Sequence, residues 1–309
     1  MAAITFKHFL VIPIALFLIV FFDMHSFFSK TLRALRPQSN SLSSVTKRTM
    51  HIRSIPMRWG TGDNYAYVLT DDSTKNSWVI DPAEPHEVLP VLKKLEQEGE
   101  IKLVAIVNTH HHYDHAGGNE ELSKHYPGLP IIAGKQSPLV TTTPAHNEQL
   151  SLGGNVAIRA LHTPCHTQDS ICYYAEDKTS GDKVVFTGDT LFIAGCGRFF
   201  EGNAREMDHA LNTVLGGLPD ETLVYPGHEY TKSNVKFVES VMNKSTHPAL
   251  EALASYVARH EKTTGVFTIG DEKKYNPFMR LQDPELQKVT GTQEREGVMA
   301  KLRELKNKM

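Results

Sequence analysis

The sequence predicts a mixed α/β domain followed by a smaller helical domain. From Met50 to about residue 228, short runs rich in β-branched and aromatic residues alternate with helical runs, and beyond residue 228 the strand signals nearly vanish. The 309 residues suit two domains, and 40% hydrophobic with 22% charged residues excludes wholesale disorder and a multi-span membrane protein. We therefore divide the chain into residues 1–49, 50–228 and 229–309.

The first elements of the α/β domain form a predicted hairpin, a helix and a buried strand. Residues 64–70 and 77–80 read as paired strands around the turn-prone DDSTKN. Residues 84–98 have helical periodicity, with Gly99 as the stop. The apolar run 101–107 has the length and composition of a buried strand.

The later elements continue the alternation and then become helical. Strands are predicted at residues 130–133, 156–160, 171–175, 183–186 and 222–225, with a helix at residues 204–215. Helices are predicted at residues 232–242, 248–261 and 294–308.

The first 49 residues read as a targeting or membrane-anchor segment outside the fold. Residues 9–22 are all apolar or proline, which is short for a membrane span but leaves membrane association open. Residues 29–49 are basic, serine-containing and free of acids, as in mitochondrial transit peptides. We expect a mitochondrial protein, with a membrane-anchored form or a cytoplasmic product starting at Met50 as the alternatives.

Charge and cysteine content limit the partners and the compartment. The net charge is −2, and residues 50–309 alone carry 27 basic and 34 acidic residues, so we expect no nucleic-acid partner. The three cysteines contain no CxxC pair and are too few for a disulfide framework, which favours a reducing compartment.

A histidine-rich segment, NTHHHYDHAGGN, follows the predicted strand 101–107 directly. A loop at the end of a strand is a suitable platform for chemistry because the sheet positions it rigidly. His110, His112, Asp114 and His115 offer four ligands within six residues. Imidazole together with carboxylate suits zinc, iron or manganese.

This segment resembles the T-H-x-H-x-D-H signature of the metallo-β-lactamase superfamily. His166 in TPCHT, Asp189 in FTGDTLF and His228 in PGHEY follow in the order of that family's ligands, each at or beyond the end of a predicted strand. The resemblance implies an αββα sandwich followed by the helical domain.

Longer strings resemble glyoxalase II, the hydroxyacylglutathione hydrolases, within that superfamily. They are TPCHT, FTGDTLF, AGCGRFFEG, PGHEYT and NPFMR, and the similarity runs from about residue 51 to the C-terminus. It implies hydrolysis of S-lactoylglutathione to glutathione and lactate in methylglyoxal detoxification, with a hydroxide shared by two metal ions as the nucleophile.

The resemblance also implies a ligand set for two divalent metal ions, zinc in first place with iron or manganese as alternatives. One ion would be held by His110, His112 and His166 and the other by Asp114, His115 and His228. Asp189 would bridge the two ions. Asp189 and Asp114 are the acidic groups expected to take part in catalysis as well as in metal binding.

The substrate end is likewise implied by the resemblance. Arg198, Phe200 and Tyr230 would contact glutathione, and Arg303 and Lys306 of the C-terminal KLRELK would bind its glycine carboxylate. Many family members have tyrosine where this chain has Phe200, so one hydroxyl donor is missing.

Two other functions are alternatives to this one. The first is a mononuclear-iron persulfide dioxygenase of the same fold, and the second is a non-catalytic metal-binding protein. The complete set of seven ligands argues against both, and the long helical tail also argues against the dioxygenase. We expect a monomer whose partner is a small glutathione thioester.

Overall fold

The computed structural model describes residues 49–309. The predictions for the apolar run 9–22 and for the basic segment that follows it therefore lie outside the described residues. Among the helices of residues 49–309, none has both the length and the apolar character that a bilayer crossing requires.

The first sheet contains the predicted hairpin and the predicted buried strand. Its strands are β1 (Met50–Met57), β2 (Asn64–Asp71), β3 (Asn76–Ile80), β4 (Lys102–Val107) and β5 (Ile131–Ile132), in that spatial order. β1, β2 and β3 are antiparallel neighbours, whereas β4 pairs in parallel with both β3 and β5. β1 is the strand-like run that begins at Met50; it contains Pro56, and proline is tolerated there because β1 is an edge strand.

Helices cover the outer face of this sheet. They are α1 (Pro85–Gln97), α2 (Tyr113–Ala116) and α3 (Asn119–His125). The predicted periodicity of α1 buries Val88, Leu92 and Leu95 against the sheet, and Gly99 ends the helical region with φ of 69°.

The second sheet has the order β12-β9-β8-β7-β6. Its strands are β6 (Gln149–Leu152), β7 (Val156–His162), β8 (Ile171–Asp177), β9 (Lys183–Gly188) and β12 (Leu223–Pro226). A two-stranded hairpin of β10 (Leu191–Phe192) and β11 (Gly195–Cys196) follows β9.

The two sheets pack face to face through one apolar core. Tyr67 and Trp78 of the first sheet share this core with Ile158, Tyr173 and Phe186 of the second, and the rings of Trp78 and Tyr173 meet edge-on at 6.2 Å. With helices on both outer faces, the layers are helix, sheet, sheet and helix, which confirms the predicted αββα class.

The chain after β12 is helical, as predicted. Its helices are α5 (Thr231–Val241), α6 (Pro248–Val257), α7 (Ile269–Tyr275), α8 (Pro284–Thr290) and α9 (Arg295–Asn307). The helix predicted at residues 204–215 is α4 (Ala204–Asp208) continued by a π-helix, His209–Leu215. These helices share a core with the outer face of the second sheet.

Backbone hydrogen bonds bring the ends of strands from both sheets together at one edge of the sandwich. Gly227 after β12 donates to Gly188 at the end of β9, at 2.8 Å, and accepts from Tyr65 of β2 at 2.9 Å. Ile171 of β8 donates to Thr109 after β4, at 2.8 Å. The loops that carry the histidines and Asp189 therefore converge at this edge.

Candidate active site

The structure brings all seven predicted metal ligands together at this edge. Two clusters have ligand atoms within 4.8 Å of one another, namely His110 with His112 and His166, and Asp114 with His115 and His228. Asp189 lies between the clusters. Its Oδ2 is 3.4 Å from His166 Nε2, and its Oδ1 is 3.3 Å from His115 Nε2.

The nitrogen spacing in the first cluster matches a tetrahedral metal site. His112 Nδ1 lies 3.1 Å from His110 Nε2 and 3.0 Å from His166 Nε2. Nitrogens bound tetrahedrally at 2.0–2.1 Å from zinc lie about 3.3 Å apart, so a small rearrangement accommodates an ion.

The outward nitrogens of the ligand histidines determine what the inward nitrogens can do. His166 Nδ1 donates to the carbonyl of Arg198 at 2.9 Å, and His228 Nδ1 donates to the carbonyl of Gly62 at 2.8 Å. A carbonyl oxygen only accepts, so these nitrogens carry the proton, and Nε2 of each neutral ring presents a lone pair inward.

These lone pairs and one carboxylate oxygen form a donor set that needs a cation. His115 Nδ1 faces Asp81 Oδ2 at 2.9 Å, and its Nε2 lies 3.2 Å from His228 Nε2. Asp189 Oδ1 is buried and accepts no hydrogen bond from the described residues. Buried lone pairs that face one another are stabilised by a shared positive charge, so the residues fit divalent metal ions.

The electrostatics of the cluster favour the metal-binding protonation state of Asp189 and His110. For His115 they do not: burial is outweighed by the carboxylates of Asp189 and Asp81, which raise its pKa well above the usual value, so a metal ion would displace that proton. Burial opposes ionisation of Asp189, but the neighbouring imidazoles of His228 and His115 hold the pKa of its carboxyl well below the usual value. Burial and the neighbouring His115 hold the pKa of His110 well below the usual value. An ionised carboxylate and a neutral imidazole are the forms that bind metal.

Asp81 is a positioning residue that the sequence analysis missed. Besides facing His115, this buried carboxylate accepts hydrogen bonds from the backbone and the hydroxyl of Thr109, both at 2.7 Å. It therefore fixes the start of the ligand loop and the ring of His115 together. Its position directly after β3 was the signal that could have identified it.

A cavity of about 650 Å³ extends from the metal ligands toward the C-terminal helix. All five predicted substrate residues line it, namely Arg198, Phe200, Tyr230, Arg303 and Lys306. Lys236 of α5 also lines it and was not predicted, so four cations face this space. The ring of Tyr230 stacks on His228 with centroids 4.5 Å apart, and that of Phe200 lies 5.2 Å from His166.

The two C-terminal cations differ in their surroundings. Arg303 is buried and donates from Nη1 to the carbonyl of Cys196 at 2.9 Å and from Nε to Asn307 at 2.9 Å. The ammonium of Lys306 has neither a hydrogen bond nor an ion pair within residues 49–309. Burial and the nearby Arg303 lower the pKa of Lys306 to about 8.

Two family descriptions match the chain in succession. Residues 59–228 match the metallo-beta-lactamase superfamily, and residues 229–309 match the family described as hydroxyacylglutathione hydrolase C-terminus. The superfamily match and the two His/Asp clusters indicate a binuclear site for divalent metal ions.

Curated relatives match most of the chain. The protein named "Probable hydroxyacylglutathione hydrolase glo2" from Schizosaccharomyces pombe is 53% identical over 84% of this chain and 99% of its own length. Two Saccharomyces cerevisiae proteins are each 48% identical. The cytoplasmic isozyme of hydroxyacylglutathione hydrolase matches 84% of this chain and 100% of itself, and the mitochondrial one matches 85% and 97%.

Solved structures share the fold. The crystal structure of ETHE1 from Myxococcus xanthus superposes with a TM-score of 0.58 and 28% identity, covering 82% of this chain and 90% of that one. The identity to the curated relatives is much higher and spans both matched regions. The chain belongs to the hydroxyacylglutathione hydrolase (glyoxalase II) family of the metallo-β-lactamase superfamily, a family of enzymes.

Proposed function

We propose that the protein hydrolyses S-(2-hydroxyacyl)glutathione, with S-lactoylglutathione as substrate, to glutathione and a 2-hydroxy acid. The observation that carries this proposal is one cavity that joins the two metal-ligand clusters to four cationic side chains. Glutathione carries two carboxylates, so a cavity that binds it needs such cations beside the reactive centre. The names of the relatives support the same substrate class.

We assign His110, His112 and His166 to one metal ion, Asp114, His115 and His228 to the other, and Asp189 to both. Bound there, two divalent ions supply an activated water at neutral pH and stabilise negative charge on the thioester oxygen. We propose zinc as the native metal because five of the seven ligands are histidines, with iron and manganese as alternatives.

The protein's own groups orient the substrate and accept the proton of the attacking water. Asp114 and Asp189 are the acidic side chains that line this cavity. Asp114 is the more exposed of the two, and its Oδ1 accepts no hydrogen bond from residues 49–309. We assign it the proton released by the attacking water, while Asp189 stays committed between the clusters.

The substrate end aligns the thioester with the metal ligands. Lys306, Arg198 and Lys236 are the cations available for the carboxylates of glutathione, and Arg303 adds positive charge from behind Lys306. The Tyr230 hydroxyl supplies a donor, while Phe200 supplies ring packing only. A single chain supplies all seven metal ligands and the four cations, so we propose that a monomer is active, which light scattering under assay conditions tests.

The decisive experiment is a thiol-release assay with metal content measured on the same sample. The purified protein should release glutathione from S-lactoylglutathione and hold about two metal ions per chain. The matched control is the same lactoyl thioester on a thiol without carboxylates, which should react with a much higher KM. A metal-replete preparation without thiol release contradicts the proposal.

The same sample distinguishes the alternatives. One iron per chain together with oxygen uptake on glutathione persulfide would identify a dioxygenase instead. Two metal ions without turnover of either substrate would identify a metal-binding protein.

We propose a mitochondrial location. Relatives are named for both the cytoplasm and the mitochondrion and do not decide between them, so the proposal is based on the basic, acid-free composition of residues 29–49. A fusion of residues 1–49 to a fluorescent protein should co-localise with mitochondria, and replacing Arg33 and Arg36 by glutamine should reduce import. Cytoplasmic fluorescence of the unaltered fusion contradicts the proposal, as does recovery only in a carbonate-resistant membrane fraction.

A further inference from the structure

Side chains of the C-terminal helical segment bind the backbone of the turn in the β10–β11 hairpin. We refer to Ile193–Cys196, which comprises the two-residue hairpin loop and β11, as the turn. Each of its four residues makes one hydrogen bond to a side chain of this segment: Asn234 donates to the carbonyl of Ile193 at 2.9 Å, Glu272 accepts from the amide of Ala194 at 2.9 Å, Asn276 donates to the carbonyl of Gly195 at 3.0 Å, and Arg303 donates to the carbonyl of Cys196 at 2.9 Å. We call this set the turn clamp.

Glu272 is the central member of the turn clamp. Its side chain is fully buried and also accepts hydrogen bonds from the Tyr275 hydroxyl at 2.7 Å and from Asn276 Nδ2 at 2.8 Å. Burial raises the pKa of Glu272 to about 8, so the side chain is mostly protonated near neutral pH. One of its oxygens still accepts the hydrogen bonds from Ala194 and Asn276, and this acceptor is what the turn requires. A buried acid is unfavourable unless such bonds compensate its desolvation.

The residue that Glu272 holds has a backbone conformation that alanine adopts reluctantly. Ala194 has a φ of 58°, in the left-handed region that favours glycine. The hydrogen bond from its amide to Glu272 therefore stabilises a turn that the local sequence alone disfavours.

The turn leads directly into the metal site. Two residues beyond it, the carbonyl of Arg198 accepts the hydrogen bond from His166 Nδ1. Gly197 is packed so closely that a Cβ there would collide with the backbone oxygen of Asp189 and lie 2.9 Å from His166 Nδ1. The path of this backbone thus orients the His166 ring and sets where the Arg198 side chain enters the cavity.

We infer that Glu272, together with Asn276, is a positioning residue that orients His166 and Arg198 through the turn Ile193–Cys196. The inference rests on the metal site assigned above and extends it to residues of the helical segment that do not line the cavity. It gives this segment a role in metal binding as well as in substrate binding.

The test compares two substitutions of Glu272 in the full-length protein. Glu272→Met removes the acceptor at similar volume, whereas Glu272→Gln keeps an oxygen for Ala194 and Asn276. In competition with a chelator, we expect Glu272→Met to lower the affinity for one of the two metal ions by about 10-fold. The affinity for the other ion should be unchanged, because only one ion depends on His166. The KM for S-lactoylglutathione should rise in the same variant through Arg198, and Glu272→Gln should behave like the wild type.

A second substitution provides a rescue that a general loss of stability would not show. Glycine adopts the Ala194 conformation without help. Ala194→Gly in the Glu272→Met background should therefore restore the lost metal affinity and return the KM to the wild-type value. If Glu272→Met does not fold, Asn276→Ala carries the test, with Asn243→Ala as its control. Both asparagines cap a short 3-10 helix, but Asn243 does not contact the turn.

The outcomes separate this inference from the proposed function. Equal weakening of both ions, or loss of thermal stability with unchanged KM and metal binding, overturns the role of the turn clamp. So does Asn276→Ala behaving like Asn243→Ala. If the wild type binds no metal at all, the proposed function fails first.

Discussion

The guanidinium of Arg303 donates a hydrogen bond from Nη1 to the carbonyl of Cys196, at 2.9 Å. Its carbon lies 5.7 Å from the ring centroid of Phe278, so the side chain is part of the packed interior. Lys306 lies nearly one helical turn further along, with its ammonium 5.4 Å from the ring centroid of Phe237, and makes no hydrogen bond or ion pair among the described residues. We therefore expect the two cations of one basic run to have different tasks.

Replacing these two cations by alanine should have different effects. Arg303→Ala should lower the free energy of unfolding by about 2 kcal/mol, because it leaves a buried carbonyl without its charged donor. Lys306→Ala should leave unfolding nearly unchanged and raise the KM for S-lactoylglutathione by about 10-fold, the value of one charge-assisted hydrogen bond. Denaturant unfolding and steady-state kinetics measure both. A stability loss in Lys306→Ala as large as that in Arg303→Ala contradicts the division.

The charge of Lys306 should make substrate capture depend on pH. Burial, assisted by Arg303 and Arg198 and opposed by Cys196, lowers the pKa of its ammonium to about 8. The cation is therefore present below this pH and lost above it, so kcat/KM should fall as pH rises through about 8. Lys306→Arg should abolish this decline because a guanidinium stays protonated. An unchanged decline in that variant would assign it to another group.

Phe200→Tyr should improve substrate binding. The Phe200 ring is largely exposed at the cavity wall, at a position where the sequence resemblance suggests a tyrosine. One added hydrogen bond of about 1 kcal/mol lowers the KM roughly five-fold, with kcat unchanged. Phe200→Leu, which removes the ring contact with His166, is the control and should raise the KM. A tyrosine variant with the KM of the wild type would show that the hydroxyl finds no partner.

Asp81→Asn should weaken metal binding without touching a ligand. Oδ1 accepts from the Thr109 amide, and Oδ2 accepts from the Thr109 hydroxyl and faces His115 Nδ1, so an amide nitrogen at either position meets another donor. We expect metal affinity to fall about 10- to 100-fold. Titration with a chelator measures this, and Asp72→Asn, at a partly exposed turn, is the control. Equal metal affinity in both variants would refute the positioning role.

Asp189→Ala should lower metal content and rate together. This side chain lies between the two clusters, so its loss affects both proposed ions. We expect at least about a 100-fold loss of rate, the upper end of what removing even an indirect partner causes. Metal analysis and thiol release on one preparation provide the measurement. Full activity with two bound ions would remove Asp189 from its bridging position.

The sequence predicted the architecture and the ligand cluster because both depend on local patterns. The helix of residues 84–98 and the strand of residues 101–107 follow from apolar periodicity, and the structure confirms them at Pro85–Gln97 and Lys102–Val107. Short elements such as Gln149–Leu152 and Pro284–Thr290 were missed because too few residues carry a period.

The sequence by itself determined which residue types were available for chemistry and the order of the strands that present them. Only the tertiary structure decided that Asp81 orients His115, that Arg303 is a packed residue and that Glu272 holds Ala194. These three contacts join residues that are 34, 107 and 78 positions apart in the sequence, respectively. Hydrogen bonds and burial at such separations arise from the packing of whole elements, which no local pattern of residues encodes.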